Sequence, residues 1–282
     1  MSSSDGAPPP IFVGGTGRSG TTILGRMLGR HREYTVIPVE ARFHSSPDGL
    51  PSVLTGVQTP ERFAERVLAE WFHPPGRSEK LAAFIERDAL DEALARFLVR
   101  AADDRVAAGR SLMEELFGAY ARSQDRHGWV EMTPINAMWG APYLLMMFPE
   151  LRFVNVIRDG RDVAASLIAV GWLADVREAL AWWEERMLRG HRELATLPAG
   201  SLLNVHFERL LVDDREGGLR EIQRFMGWEE DAMRRFFTRR MPSEEAHVGR
   251  WETDFSGRER ELVASEYEAI LDRLRAVGVL VP

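Results

Sequence analysis

The sequence predicts an α/β fold: a parallel sheet flanked by helices, with a helical insertion between two of its strands. Three observations predict it. The apolar run Ile11-Phe12-Val13 leads into Gly14-Gly15-Thr16-Gly17-Arg18-Ser19-Gly20-Thr21-Thr22 and then into Ile23, Leu24, Met27 and Leu28 at helical spacing, which reads as strand, glycine-rich turn and helix. A second strand-turn-helix unit runs from Arg152 to about Val170. Between the two, from Pro60 to about Ala121, apolar residues recur at helical spacing.

Taken in order, the elements alternate. Residues 1–10, MSSSDGAPPP, are expected to be a disordered lead, without the basic and apolar regions of a signal peptide. Residues 11–282 are expected to form a single domain, since many α/β folds of this length hold one core. Thr35 to Val39 reads as a short second strand. The helical stretch is expected to break at Pro74-Pro75-Gly76 and near Gly109. Trp129 to Thr133 reads as a strand stopped by Pro134, Trp139 to Phe148 as a helix stopped by Pro149, and Arg152 to Ile157 as a strand. Asp159-Gly160-Arg161-Asp162 opens the next helix, its two aspartates three apart in a capping-box arrangement. Leu202 to Phe207 supplies a further strand, Leu219 to Phe225 and Ala232 to Phe237 further helix, and Glu259 to Ala276 a terminal helix. Such alternation implies a parallel sheet covered on both faces.

Composition narrows the partners. Lys plus Arg number 36 against 43 Asp plus Glu, a net charge of -7, which argues against nucleic acid as the main partner. With no cysteine there is no disulfide framework, thiolate metal site or cysteine nucleophile, a composition that suits a reducing cytoplasm. No apolar run approaches the roughly 18 to 20 residues of a transmembrane helix. Lys80 is the only lysine, so a bound anion must be held by arginine, histidine, hydroxyls or backbone N–H groups.

The glycine-rich turn is the strongest chemical signal. Free N–H groups and the helix dipole converge at a helix amino terminus, and Gly15, Gly17 and Gly20 let the backbone wrap an anion closely. The fold is therefore P-loop-like. Against the triphosphatase pattern G-x-x-x-x-G-K-[ST], Gly15 and Gly20 are correctly spaced, but Thr21 stands where the lysine belongs. The cation sits inside the loop instead, at Arg18.

Arg18-Ser19-Gly20-Thr21-Thr22 after a strand resembles the first signature of sulfotransferases that use 3′-phosphoadenosine-5′-phosphosulfate (PAPS), here of the soluble bacterial type. Arg158-Asp159-Gly160-Arg161-Asp162, with Ser166 eight residues after Arg158, resembles the second. Gly249-Arg250-Trp251 with Phe255 resembles the looser third signature, although Glu244-Glu245-Ala246 stands where the cytosolic branch has a basic segment. The three span about residues 11 to 256 in the family's order. The resemblance implies PAPS as donor, with no metal required. It places Arg18 at the 5′-phosphosulfate, surrounded by Gly17, Ser19, Gly20, Thr21 and Thr22. Arg158 and Ser166 fall to the 3′-phosphate, with Gly249, Arg250 and Trp251 beside them.

The reaction it implies is sulfuryl transfer to an acceptor hydroxyl by in-line displacement, with a carboxylate general base. Glu40, in Val39-Glu40-Ala41-Arg42-Phe43-His44, resembles the glutamate base of the glycan-modifying branch; pairing with Arg42 is its alternative, and His44 is the reserve base. Glu131, in Trp129-Val130-Glu131-Met132-Thr133-Pro134, resembles the family's E-K-[ST]-P segment with Met132 in place of lysine. Acceptor binding is expected from the helical segment at about residues 42–127 and from Trp172, Trp182, Trp183 and Met187, which could line a groove or pack in the core. The acceptor class stays open among small molecules, glycans and lipid-like compounds. Two other readings also remain: a P-loop nucleotide or small-molecule kinase, and a non-catalytic nucleotide-binding protein.

Overall fold

The computed structural model describes residues 7–72, 80–229 and 231–282. Five strands, β1 (Ile11–Gly15), β2 (Tyr34–Val36), β3 (Gly128–Glu131), β4 (Arg152–Ile157) and β5 (Leu202–His206), form one sheet in the order β2-β3-β1-β4-β5. Every pairing is parallel, with Gly15 opposite Val156 and Ile157 opposite His206. Central β1 and β4 are almost wholly apolar because helices cover both of their faces. β1 lies between β3 and β4; its own connection runs to β2 on one side and that of β4 runs to β5 on the other, so the chain leaves the carboxyl ends of β1 and β4 in opposite directions. A crevice opens at such a switch point.

The lead is tied to this sheet from Pro9 onward. The Pro9 carbonyl accepts a hydrogen bond from the Tyr34 hydroxyl at 3.0 Å, and the Pro10 carbonyl accepts from the Arg152 N–H at 3.0 Å. These two residues therefore extend the ordered sheet edge rather than belonging to a disordered lead, whose first six residues lie outside the described residues.

Between β2 and β3 the described chain is helical, with Arg87–Ala101 and Arg105–Met113 packed against each other. The break is at 102–104, where Asp104 caps the second helix, and not near Gly109. Gly109 lies inside that helix because a Cβ there would meet the Met147 sulfur at 2.8 Å. The other expected break, at Pro74-Pro75-Gly76, lies outside the described residues. Phe43, Phe63, Phe97, Phe117 and Phe148 weld this insertion to one face of the sheet.

Two further boundaries differ from the sequence reading. The helix expected over Trp139 to Phe148 is Ala141–Met147, and a further short helix, Pro134–Trp139, precedes it, the two meeting at Gly140, where an added Cβ would lie 2.8 Å from that of Ser45. A 19-residue helix, Val176–Leu194, capped by Asp175, was not read from the sequence. It packs on Gly160–Ala169 and on the terminal helix Gly257–Ala276, whose amino end is a true capping box of Ser256 and Glu259. Among the described residues, no helix is long and apolar enough to cross a membrane.

Candidate functional site

The carboxyl ends of β1 and β4 open into a cavity of about 630 Å³. Gly17, Arg18, Gly20, Thr21, Thr22, Glu40, Arg158, Ser166 and Arg250, all singled out from the sequence, line it, as do Arg42, Thr133 to Asn136, Trp172 and His247.

The loop is shaped by positive φ angles. Gly17 (φ 81°) and Gly20 (φ 85°) are in the left-handed region that favours glycine. At Gly20 a Cβ would lie 2.2 Å from the Phe207 ring, so no other residue fits. Arg18, at φ 54°, is turned outward by the same bend and is exposed. Its Nε donates to Ser166 Oγ at 3.0 Å. Two residues expected at opposite ends of a donor thus touch each other. Ser19 is fully buried, and its Oγ has no hydrogen-bond partner among the described residues.

Arg158 ends β4 and is 7% exposed. Its guanidinium lies 4.5 Å from the Phe207 ring centre, donates from Nη1 to the Arg18 carbonyl at 3.0 Å and from Nη2 to the His247 carbonyl at 2.9 Å. Asp162 is 3.8 Å away. Burial pulls the Arg158 guanidinium below its ordinary pKa, opposed by the charges of Asp162 and Glu208. Its Nε is buried without a partner among the described residues.

The two aspartates do not make the expected capping box. Asp159 alone caps the helix, accepting from the Arg161 N–H at 2.8 Å and pairing with the Arg161 side chain. Asp162 turns the other way and accepts from the backbone N–H groups of Gly249 at 2.9 Å and Trp251 at 3.2 Å. Burial raises its pKa, against those two hydrogen bonds. Asp162 is therefore the anchor of the third segment, a role that helix-start spacing concealed. Trp251 packs under the Arg161 guanidinium, 4.6 Å from its ring centre, while Arg250 pairs with Asp254 at the rim.

Glu40 and His44 part company. Glu40 lines the cavity and accepts from Arg42 Nη2 at 2.9 Å, the pairing that was its alternative reading. His44 is fully buried among Phe12, Phe43 and Phe117, with Nε2 3.1 Å from the equally buried Glu131. It does not line the cavity, because the turn at Arg42 (φ 53°) carries the chain from the rim into the core. Glu131 in turn accepts from the Thr133 N–H at 3.0 Å and from its hydroxyl. The tryptophans divide similarly. Trp172 is 59% exposed on the cavity wall, Trp182 stacks on Arg186 at 3.7 Å, and Trp183 is core beneath Gly160.

Residues 9–232 match the family described as "Sulfotransferase family". The chain belongs to this family. Curated relatives include the protein-tyrosine sulfotransferase of Drosophila melanogaster, 24% identical over 77% of this chain and 38% of that protein, and protein-tyrosine sulfotransferase 1 of Danio rerio, 27% identical over 77% of this chain and 53% of that one. The chain thus spans between a third and just over half the length of these relatives. Two solved structures share the sulfotransferase fold. They are the sulfotransferase domain from the curacin biosynthetic pathway (16% identity, 93% of this chain, 98% of that one, TM-score 0.53) and the sulfotransferase from Alicyclobacillus acidocaldarius (19% identity, 96% of each chain, TM-score 0.51).

Proposed function

We propose that this sulfotransferase-family chain moves a sulfuryl group from PAPS to an acceptor hydroxyl, without a metal. One observation carries the reading: the glycine loop, Arg158, Ser166 and Arg250 line one cavity. An orphaned polar atom supports it: Arg158 lines the cavity and its Nε is buried without a partner among the described residues, which suits a bound anion that would supply an acceptor.

In this reading Arg158 and Ser166 hold the 3′-phosphate, with Gly249 and Trp251 kept in place by Asp162 and with Arg250 at the rim. The backbone of Gly17 to Thr22 and the hydroxyls of Ser19, Thr21 and Thr22 hold the 5′ end. When bound, PAPS supplies an activated sulfuryl group on a phosphate leaving group. Arg18, exposed and held by one hydrogen bond, is the cation free to follow charge onto the leaving oxygen. Glu40 takes the acceptor proton, and Arg42 holds its carboxylate at the rim. Trp172 and the helical segment of residues 42–127 form the acceptor side. Acceptors in keeping with this wall are small molecules, glycans, lipid-like alcohols or phenols such as a tyrosine side chain. A cysteine-free chain works well in a reducing cytoplasm, our expected compartment.

Calorimetry in EDTA tests the donor. Adenosine 3′,5′-bisphosphate should bind well, and Arg158→Ala should weaken it by about 1.5–3 kcal/mol while scarcely changing AMP. Tighter binding of ATP with Mg²⁺ would transfer the chain to the kinase reading.

A further inference from the structure

A second cavity, of about 280 Å³, shares no lining residue with the first. It lies against β4 and β5 beside the helix Val176–Leu194, and the Gly278 to Leu280 segment closes one side. Its walls include Met138, Met187 and Leu194, and no arginine, lysine or carboxylate lines it.

Its polar part is an asparagine pair. Asn155 interrupts the apolar run of β4, and Asn204 stands directly opposite it in β5. Asparagine is a poor strand residue, so two in register within a sheet call for a reason beyond folding. Asn155 is 8% exposed; its Nδ2 donates to Asn204 Oδ1 at 2.9 Å, and its Oδ1 has no partner among the described residues. Two carboxamides joined by a single hydrogen bond leave one oxygen and one NH2 group wholly unused, whichever way the amides are turned. A wall with no arginine, lysine or carboxylate, in which His191 is the one titratable side chain, favours a neutral ligand, and the volume, just under the ~300 Å³ where ligand pockets begin, favours a small one.

We propose that this cavity binds a small neutral molecule carrying an N–H or O–H donor on an apolar body, such as an aryl amide. Asn155 accepts from the donor, Asn204 offers an N–H to a ligand carbonyl, and the methionines and Leu194 cover the apolar part. The occupant also meets two elements that reach the first cavity: Ile157 directly precedes Arg158, and Met138 shares a helix with Ile135.

The test uses acetanilide and N-methylacetanilide, which differ in the N–H donor, titrated into the full chain by calorimetry. Acetanilide should bind one to one, about fivefold tighter than its N-methyl form, with affinity kept in saturating adenosine 3′,5′-bisphosphate. Asn155→Leu should erase the preference. Should that variant not fold, Ala195→Trp, at the exposed mouth, should weaken acetanilide about tenfold with the asparagines untouched. Absence of binding at millimolar probe, equal affinities, displacement by the bisphosphate, or unchanged binding in the soluble variant would each overturn the proposal.

Discussion

Two acid-base pairs are built on Glu40 and His44, four residues apart on one stretch of chain, and have opposite surroundings. Glu40 and Arg42 meet at 2.9 Å with side chains 45% and 57% exposed, on the wall of the first cavity. His44 and Glu131 meet at 3.1 Å with both side chains fully buried. An exposed pair has low net worth and can open to a substrate, whereas a buried pair is held by everything packed around it. The difference teaches that residue type alone does not assign chemistry here. Both Glu40 and His44 could act as bases, and the turn at Arg42 decides which one can reach an acceptor.

The largest expected effect separates the pairs by function. Glu40→Gln should lower turnover about 10²- to 10⁴-fold with donor affinity unchanged, measured by steady-state kinetics and calorimetry; full activity would end its role as base. Next, Glu131→Ala strands the Thr133 N–H and hydroxyl together. At about 1–3 kcal/mol for each stranded group, urea unfolding should record a loss near 3 kcal/mol, and a loss under about 1 kcal/mol would place the buried pair with the exposed one.

A third buried carboxyl sharpens the contrast through pH. Glu208 accepts from the Asp159 N–H at 2.9 Å, and burial holds its pKa above the usual carboxylate range, against that hydrogen bond. In the window between its unfolded and folded values the unfolded chain has released a proton that the folded chain keeps. Stability is therefore lost as pH rises from about 4, by at most about 1.4 kcal/mol per pH unit, until the folded value is passed. Glu208→Gln keeps the acceptor and abolishes this term, so the variant should gain on the wild type over that window in pH-dependent urea melts. A constant difference would remove the linkage. Smallest of all, Arg42→Ala should change unfolding free energy by no more than about 0.5 kcal/mol, because its ion pair is solvated. A loss above about 1 kcal/mol would show that the turn depends on the pair.

Much of the sheet and of the set of residues that meet at the first cavity was legible, because glycine spacing and strand-ending arginines are local patterns. Gly17, Gly20 and Arg158 have their roles written within a few neighbouring residues. The acceptor side and the core ties were not legible, because they join segments far apart in the chain. His44 and Glu131 are brought together only by the parallel pairing of β2 and β3. Asp162 finds its true partners 87 and 89 residues later, so a local capping rule claimed it first. Trp183 differs from Trp182 only in the face of Val176–Leu194 on which it falls, and that helix itself escaped notice. Gly140 shows the same limit: the short helix Pro134–Trp139 before it was missed, and the close approach of Gly140 to Ser45 is a contact between distant segments.

The anchoring of the Gly249 segment by Asp162 has a consequence for the order in which the molecule is assembled. Synthesis proceeds from the amino terminus, so the glycine loop, β4 and Asp162 all emerge before the residues that complete the crevice. Until residues 246–251 arrive, Arg158 lacks the carbonyls of Ala246 and His247, and Asp162 lacks both of its N–H donors. A nascent chain halted before that point carries two buried charges with half of their partners missing. Under the proposed donor reading, capture of the bisphosphate is gained only late in synthesis, and its appearance on stalled chains of increasing length would date the closing of the crevice.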